Sequence, residues 1–329
     1  MSLDPSVAAV RLAVRRSVAD VGGHPVLVAC SGGADSLALL AAAVFEARSR
    51  PWQVVGATVD HGLQEGSAQR AGQVVAQMAA LGVDETVSVS VSVEARGQGV
   101  EAAAREARYA VLEEVAQRFS SEVVLLGHTL DDQAETVLLG LARGSGGRSL
   151  QGMRRRFEAF RRPLLDLRRS QTEAACRAQG IEWWEDPHNH DPRFTRSRLR
   201  QRVLPMLEEQ IGPGVTAALA RTAALVRADV SALDTIAATA LEERRGPDGV
   251  RTDGLGDLPA AVVSRVVRLA ALEAGCPPSE LTSGHVVAVE ELAASAEGPV
   301  RHKQVQLPGH LTAYRDGSTL RFRRTAVSG

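Results

Sequence analysis

The chain is predicted to fold as a doubly wound α/β domain, a parallel sheet covered by helices, with a smaller and mostly helical C-terminal domain that ends in short strands. Three observations carry this. Short Val-rich runs alternate four times with longer helical stretches between residues 25 and 143. A loop rich in small residues, Ser31-Gly32-Gly33-Ala34-Asp35-Ser36, joins the first run to the first helical stretch. The length, 329 residues, exceeds the ~250–300 at which one core stops growing, so a second unit is expected. The division is placed at 205/206.

Residues 1–20 predict a helix opening at Asp4-Pro5, in which Arg11, Arg15 and Arg16 interrupt the apolar residues and give an amphipathic pattern rather than a signal peptide. The runs at 25–30, 53–60, 85–93 and 122–127 are apolar on both faces, as strands of a buried parallel sheet are. Helices are expected at 35–48, 67–81, 101–119 and 132–143, which makes each connection a right-handed crossover. Gly144 to Gly147 break the pattern. Beyond Pro205, one long helix is expected at 216–245 and shorter ones at 258–274 and 282–296. A small antiparallel meander at 300–324 turns at Pro308-Gly309 and Asp316-Gly317.

Composition sets the limits. With 44% hydrophobic and 23% charged residues the chain is neither disordered nor fibrous, and nowhere do about 18 apolar residues run uninterrupted, so no membrane partner is expected. Its net charge of -1 hides a basic segment, 143–202, with 15 Arg against 7 acidic residues. Lys303 is the only lysine, so chemistry built on a Schiff-base or Walker-type lysine is excluded. Cys30, Cys176 and Cys276 are odd in number and form no CxxC pair, which points to a reducing compartment, the cytoplasm, and away from a zinc or cluster site.

In the Ser31–Ser36 loop, glycines between a strand and a helix N-terminus turn backbone amides toward an anion, and the hydroxyls of Ser31 and Ser36 can add to them. Asp35 is out of place beside a bare anion unless a cation lies between, so it is assigned to Mg²⁺. In Asp131-Asp132-Gln133-Ala134-Glu135, acidic residues one helical turn apart sit at the mouth of the sheet, suited to a cationic amino acid or a metal. Alone they would be read first as complementing a helix dipole; the Ser31–Ser36 loop on the same sheet edge reverses that reading. Arg105 can pair a carboxylate or a phosphate bidentately, or simply pair with Glu101. The arginines of 143–202, interleaved with Phe157, Phe160, Trp183, Trp184 and Phe194, suggest an RNA surface. His188 and His190 lack partners at metal-ligand spacing and are expected at the surface or on RNA.

The hexad resembles the SGGxDS pyrophosphate loop of the N-type ATP pyrophosphatases, the adenine nucleotide alpha hydrolase-like fold. Four more segments narrow the resemblance: Val59-Asp60-His61-Gly62-Leu63, the run from Gly127 to Thr136, Arg162-Pro163-Leu164-Leu165, and Glu185 to Asp191 before Arg196-Ser197-Arg198-Leu199-Arg200. Ala104-Arg105-Glu106-Ala107-Arg108-Tyr109 resembles a further family segment. In this order they are similar to the tRNA(Ile)-lysidine synthetases over about residues 23–202. Thr129, Gln64 and Ser197 depart from that family's usual residues.

The resemblance implies ATP-dependent ligation of free L-lysine to C2 of the wobble cytidine of a CAU-anticodon tRNA(Ile), through an adenylated cytidine, with release of AMP and pyrophosphate. ATP would lie over Ser31, Gly32, Gly33, Ala34, Asp35 and Ser36, near His61 and His128. Asp35, Asp132 and Arg105 would belong to the catalytic machinery, with Asp132 as general base. Arg105, Asp132, Glu135, Arg162, Arg196 and Arg200 would bind substrates, and Asp35 and Asp131 would hold Mg²⁺. The C-terminal domain would grip tRNA, and a homodimer is left open. Two alternatives stay open: another adenylating synthetase, such as a tRNA thiolase, and a non-catalytic binding module.

Overall fold

The computed structural model describes residues 3–60, 62, 66–91, 100–144, 146–186, 191–294 and 304–325. Two compact units divide the chain, Met1–Arg143 with Leu150–Ala223, and Gly144–Ser149 with Ala224–Gly329. Their junction falls inside the helix Val215–Arg244, later than the 205/206 division expected from sequence.

The first unit opens with α1 (Pro5–Ser17), whose start follows from its cap: Asp4 Oδ1 accepts the Ser6 amide at 2.8 Å, and Pro5, lacking an amide, opens the helix. Its stripe of Val7, Val10 and Val14 packs into a core shared with α2 (Ala34–Ala47), and Arg15 pairs there with the buried Glu46.

Four parallel strands, β1 (Val26–Ala29), β2 (Val54–Asp60), β3 (Glu85–Ser90) and β4 (Val123–Leu125), are ordered β3-β2-β1-β4, with Val26 opposite both Val54 and Val123. Because side chains alternate along a strand, Val26 and Val28 enter the core with α1 and α2, while Leu27 enters the opposite one. Connecting helices are α3 (Ser67–Leu81), α4 (Val100–Arg118) and α5 (Leu130–Arg143), within a few residues of the expected spans. β3 is an edge strand with Glu85, Ser88 and Ser90 exposed, so the expectation of two buried faces fails there. After the short α6 (Gly147–Leu150), the two-residue strands β5 (Arg156–Phe157) and β6 (Phe160–Arg161) extend the sheet beyond β4. This hairpin was not expected, because arginines occupy half of it. Arg156 and Arg161 both answer Asp20.

The unit ends with α7 (Arg169–Ala178), α8 (Thr195–Arg198), a π-helical turn (Leu199–Val203) and α9 (Leu204–Gln210). The second unit takes α10 (Val215–Arg244) from Ala224 on, then β7 (Arg245–Gly246), β8 (Gly249–Arg251), α11 (Ala260–Glu273), α12 (Ser283–Ala294), β9 (Gln304–Leu307), β10 (Leu311–Asp316) and β11 (Thr319–Arg324). The expected meander is present and larger, since β8 pairs with β11 to give the antiparallel order β7-β8-β11-β10-β9. Among the described residues no helix is long and apolar enough to cross a membrane.

One glycine sets how closely the sheet approaches the Ser31–Ser36 loop. A Cβ on Gly127, just past β4, would lie 3.1 Å from the Asp35 carbonyl carbon and the Ser36 nitrogen, backbone atoms that cannot swing aside. Gly127→Ala is therefore expected to cost about 1–3 kcal/mol by overpacking and to distort the Ser31–Ser36 loop. Gly22→Ala, with nothing within 4 Å, should do neither. Thermal unfolding of both variants checks this.

Candidate active site

The loop between β1 and α2 is braced from within. Ser36 Oγ accepts the Ser31 amide at 3.1 Å and donates to the Gly33 carbonyl at 2.9 Å. Its hydroxyl is thus spent on the loop, not free for an anion as sequence suggested. Gly32 has φ +80°, a left-handed conformation that glycine adopts without strain, and a Cβ there would strike Val74 Cγ2. Its carbonyl accepts the Trp184 amide at 3.1 Å. Among the described residues the amides of Gly33, Ala34 and Asp35 find no acceptor, as the first turn of a helix leaves them. With the helix dipole they form an anion cradle.

Beside the cradle, Asp35, Asp132 and Glu135 converge on two guanidiniums. Arg169 donates from Nε to Asp35 Oδ2 at 3.1 Å and from Nη2 to Asp132 Oδ1 at 2.8 Å, and its Nη1 lies 4.0 Å from Glu135 Oε1. Arg200 donates to both oxygens of Glu135, at 2.7 and 3.1 Å, and to Asp132 Oδ1 at 3.1 Å. The π-helical turn that carries Arg200 widens the helix locally, a distortion common at functional sites. Thr172 on α7 donates to the other oxygen of Asp35. These three carboxylates and two guanidiniums leave one formal negative charge.

Burial and charge act differently on each carboxylate. Burial pushes Asp35 above the usual carboxylate range and Arg169 offsets this only in part. Glu135, with no exposed side-chain surface, is likewise raised by burial against the pull of Arg200. Burial would raise Asp132 too, but Arg169, the Thr129 amide and Arg200 bring it below its ordinary value. Thr129, which replaces a usual family residue, orients that carboxylate: its amide and hydroxyl donate to Asp132 Oδ2 at 2.8 and 3.0 Å. Burial alone would lower Arg169; the three carboxylates raise it.

Asp131, expected to hold a metal with Asp35, faces elsewhere. Its Oδ2 accepts the Arg169 amide at 2.8 Å, and Arg168 lies 3.8 Å from its Oδ1, so it caps α7. The carboxylate that shares a cation with Asp35 is Asp132. Among the described residues no three His, Cys, Asp or Glu side chains are arranged to hold a metal by themselves. A cleft of about 290 Å³ opens beside Glu135, Arg169 and Arg200, also lined by Asp131, Arg168 and Glu208. A larger one, about 680 Å³, lies by His24 and Glu122 at the amino ends of the strands and includes none of the expected residues.

The remaining expected residues gather around His128. Arg162, 5% exposed, donates to His128 Nδ1 at 3.3 Å, to Tyr109 Oη at 3.0 Å and to the Arg154 carbonyl at 2.6 Å. Arg105 donates to the same Tyr109 Oη at 3.4 Å, and Arg196 and Arg105 act electrostatically on Arg108. Arg105 makes no ion pair among the described residues. His61, His188, His190 and Lys303 lie outside the described residues.

The basic segment is largely answered internally: Arg155, Arg156, Arg161, Arg168, Arg169 and Arg200 all pair with carboxylates. Its aromatics do not form the open stacking surface expected. Phe160 is fully buried and stacks on Phe157 at 5.0 Å, Trp183 packs on the core, and Arg70 covers Trp184. Phe194 is exposed. Sequence reasoning missed Arg169 and Thr172 because seven or more positions separate them from the quoted Arg162 motif core and neither stands in a recognisable pattern; a coupling to Asp35 is visible only in space.

A family model described as a PP-loop domain matches residues 8–207. The tRNA(Ile)-lysidine synthase of Thermobifida fusca is 52% identical, covering 93% of this chain and 94% of its own. That of Salinispora arenicola is 50% identical, covering 97% of each. Among solved structures, the U34-tRNA thiolase of Methanococcus maripaludis, with its [4Fe-4S] cluster, aligns over 68% of this chain and 80% of its own with a TM-score of 0.56 and 16% identity, a likeness of fold.

His128 supplies a pH test. Burial first, then Arg162, Arg108 and Arg105, depress its pKa from 6.5 to about 3, against the pull of Asp132. A folded pKa below the unfolded one disfavours imidazolium in the native state. This contribution to stability is whole above pH about 6.5 and is lost as pH falls toward about 3. Carbon NMR shifts of the His128 ring should stay those of neutral imidazole down to pH about 5; a midpoint near 6.5 would contradict the placement.

Proposed function

Since the chain belongs to the tRNA(Ile)-lysidine synthases, a PP-loop family, we propose that it joins free L-lysine to C2 of the wobble cytidine of CAU-anticodon tRNA(Ile) at the expense of ATP. The observation that supports this best is the convergence of Asp35, from the phosphate cradle, with Asp132 and Glu135, from the strand β4 exit, on one guanidinium. It brings a nucleotide site and a site for a cationic amine within one side chain of each other.

In this reading the triphosphate lies over Gly33, Ala34 and Asp35, whose amides offset its charge. Cytidine O2 attacks the α-phosphate, forming a new O–P bond as the bond to pyrophosphate breaks. Arg105 and Arg162, with Arg196 nearby, face the incoming anionic groups of nucleotide or RNA. The ε-amine of lysine then attacks C2, AMP leaves, and one amine proton is lost.

The cluster as a whole, three carboxylates against two guanidiniums, draws the lysine ammonium to Asp132 and Glu135. Asp132, expected from sequence as general base, has its basicity lowered by its cations, so it suits charge pairing better than proton removal. Glu135, raised by burial, is the stronger acceptor of the two. Arg200 orients it. His128, kept neutral, accepts from Arg162 and holds that guanidinium in place.

Mg²⁺ belongs to this proposal. The oxygen donors fit a hard cation: the carboxylate of Asp35, 19% exposed, borders the amide cradle, and Mg²⁺ characteristically takes one or two carboxylates with phosphate oxygens rather than a full protein cage. Bound there, the ion would offset negative charge on the phosphates. In the C-terminal unit, the exposed Arg323 and Arg324 of β11 would meet tRNA phosphates.

The test is incorporation of radiolabelled lysine into tRNA with ATP and magnesium, followed by nucleoside mass analysis. A lysine-modified cytidine is expected, absent when the wobble cytidine is replaced and lost in Asp35→Ala. ATP turnover without lysine incorporation would move the substrate elsewhere. Asp132→Asn should slow lysine transfer at least about tenfold, as loss of a charged partner does, with pyrophosphate release less affected. Affinity for tRNA should fall steeply between low and moderate salt; a flat response would contradict phosphate contacts.

A further inference from the structure

We propose that Arg169 is the resident cation of the Asp35–Asp132 site and gives up Asp35 to magnesium when the metal–nucleotide complex binds. This rests on the reading of the site as one that uses Mg·ATP. Both oxygens of Asp35 are taken, one by Arg169 Nε at 3.1 Å and the other by Thr172. A metal ion approaching that carboxylate therefore competes with the two α7 donors already on it and is repelled by the positive charge of one of them.

The exchange is sterically open. The side chains of Asp35 and Arg169 are 19% and 21% exposed, against 11% for Asp132 and none for Glu135, so the bond to Asp35 is the most open of the three Arg169 contacts. It is also local. Arg169 keeps a second hold on Asp132 through Nη2 at 2.8 Å, and its own amide stays on Asp131. Losing Asp35 therefore does not release the start of α7.

Charge gives the reason for a resident cation. Asp132 and Glu135 are buried and Asp35 is half-buried beside them, and unpaired they would repel or take up protons. With Arg169 between them, the carboxylates remain together before substrates arrive, and Asp35 stays aimed at the cradle edge. Arg169 is thus a positioning residue that ties readiness of the α5 carboxylates to occupancy of the cradle.

The first test is Mn²⁺ binding to the full chain, read as loss of the free-ion electron paramagnetic resonance signal, without nucleotide, lysine or tRNA. Arg169→Met should bind Mn²⁺ at least about tenfold tighter than the wild type, because the ion no longer displaces a charged hydrogen bond. Equal or weaker binding, including no binding by either protein, overturns the proposal. Thr172→Val, which removes a donor without changing charge, should also bind more tightly, and serves if Arg169→Met does not fold. The second test uses the wild type labelled with ¹⁵N-arginine. The Arg169 Nε–H signal, assigned by its loss in Arg169→Lys, should shift when Mg²⁺ with α,β-methylene-ATP is added. A signal that stays put means a fixed structural tie and overturns the exchange. Neither test needs lysidine formation, so the failure of that activity is read separately.

Discussion

Buried carboxylates need cations, and the architecture around this site follows from that constraint. Asp35 comes from the first strand-to-helix loop, Asp132 and Glu135 from the fourth, and each is withdrawn from water by the same packing that shapes the sheet edge. Leaving such charges unpaired costs several kcal/mol apiece. Arg169 and Arg200 meet the cost from two separate elements, α7 and the π-helical turn, which are thereby drawn onto the mouth of the sheet. Asp131 adds to this by capping α7 with the residue that begins it.

The phosphate cradle and the carboxylate pocket are two faces of one joint. Gly127 lets the end of β4 press against the backbone of Asp35 and Ser36, so the loop that opens α2 and the loop that opens α5 cannot move independently. Trp184 holds Gly32 from the far side. Ser36 spends its hydroxyl inside the loop, which keeps the neighbouring amides pointing outward. Rigidity here comes from backbone contact rather than from any single strong bond.

A second polarity lies alongside. Around His128, Arg105, Arg108 and Arg162 gather with few countercharges, and the imidazole is held neutral by burial and by those cations. Tyr109 accepts from two of them, and its ring meets Phe157 and Phe160 edge-on. In the proposed reading, anionic groups of nucleotide and RNA are favoured on one side and a cationic amine on the other.

Much of this protein was legible in its residues. Strand and helix periodicity located the four parallel strands and their helices to within a few positions, because a two-sided buried sheet leaves continuous apolar runs. The glycine-rich hexad and the acidic run after β4 pointed to an anion cradle beside carboxylates, since local backbone conformation and helix-start chemistry are short-range properties. Tertiary structure alone decided which acid faces which cation. It turned Asp131 away to cap α7, joined Asp35 to Asp132 through Arg169, lowered the basicity of Asp132 and packed all but Phe194 of the aromatics taken for an RNA surface against other side chains. The reason is physical: charge pairing and burial depend on distances between residues as much as 141 positions apart in the chain, as Asp20 and Arg161 are, and no sequence spacing encodes them.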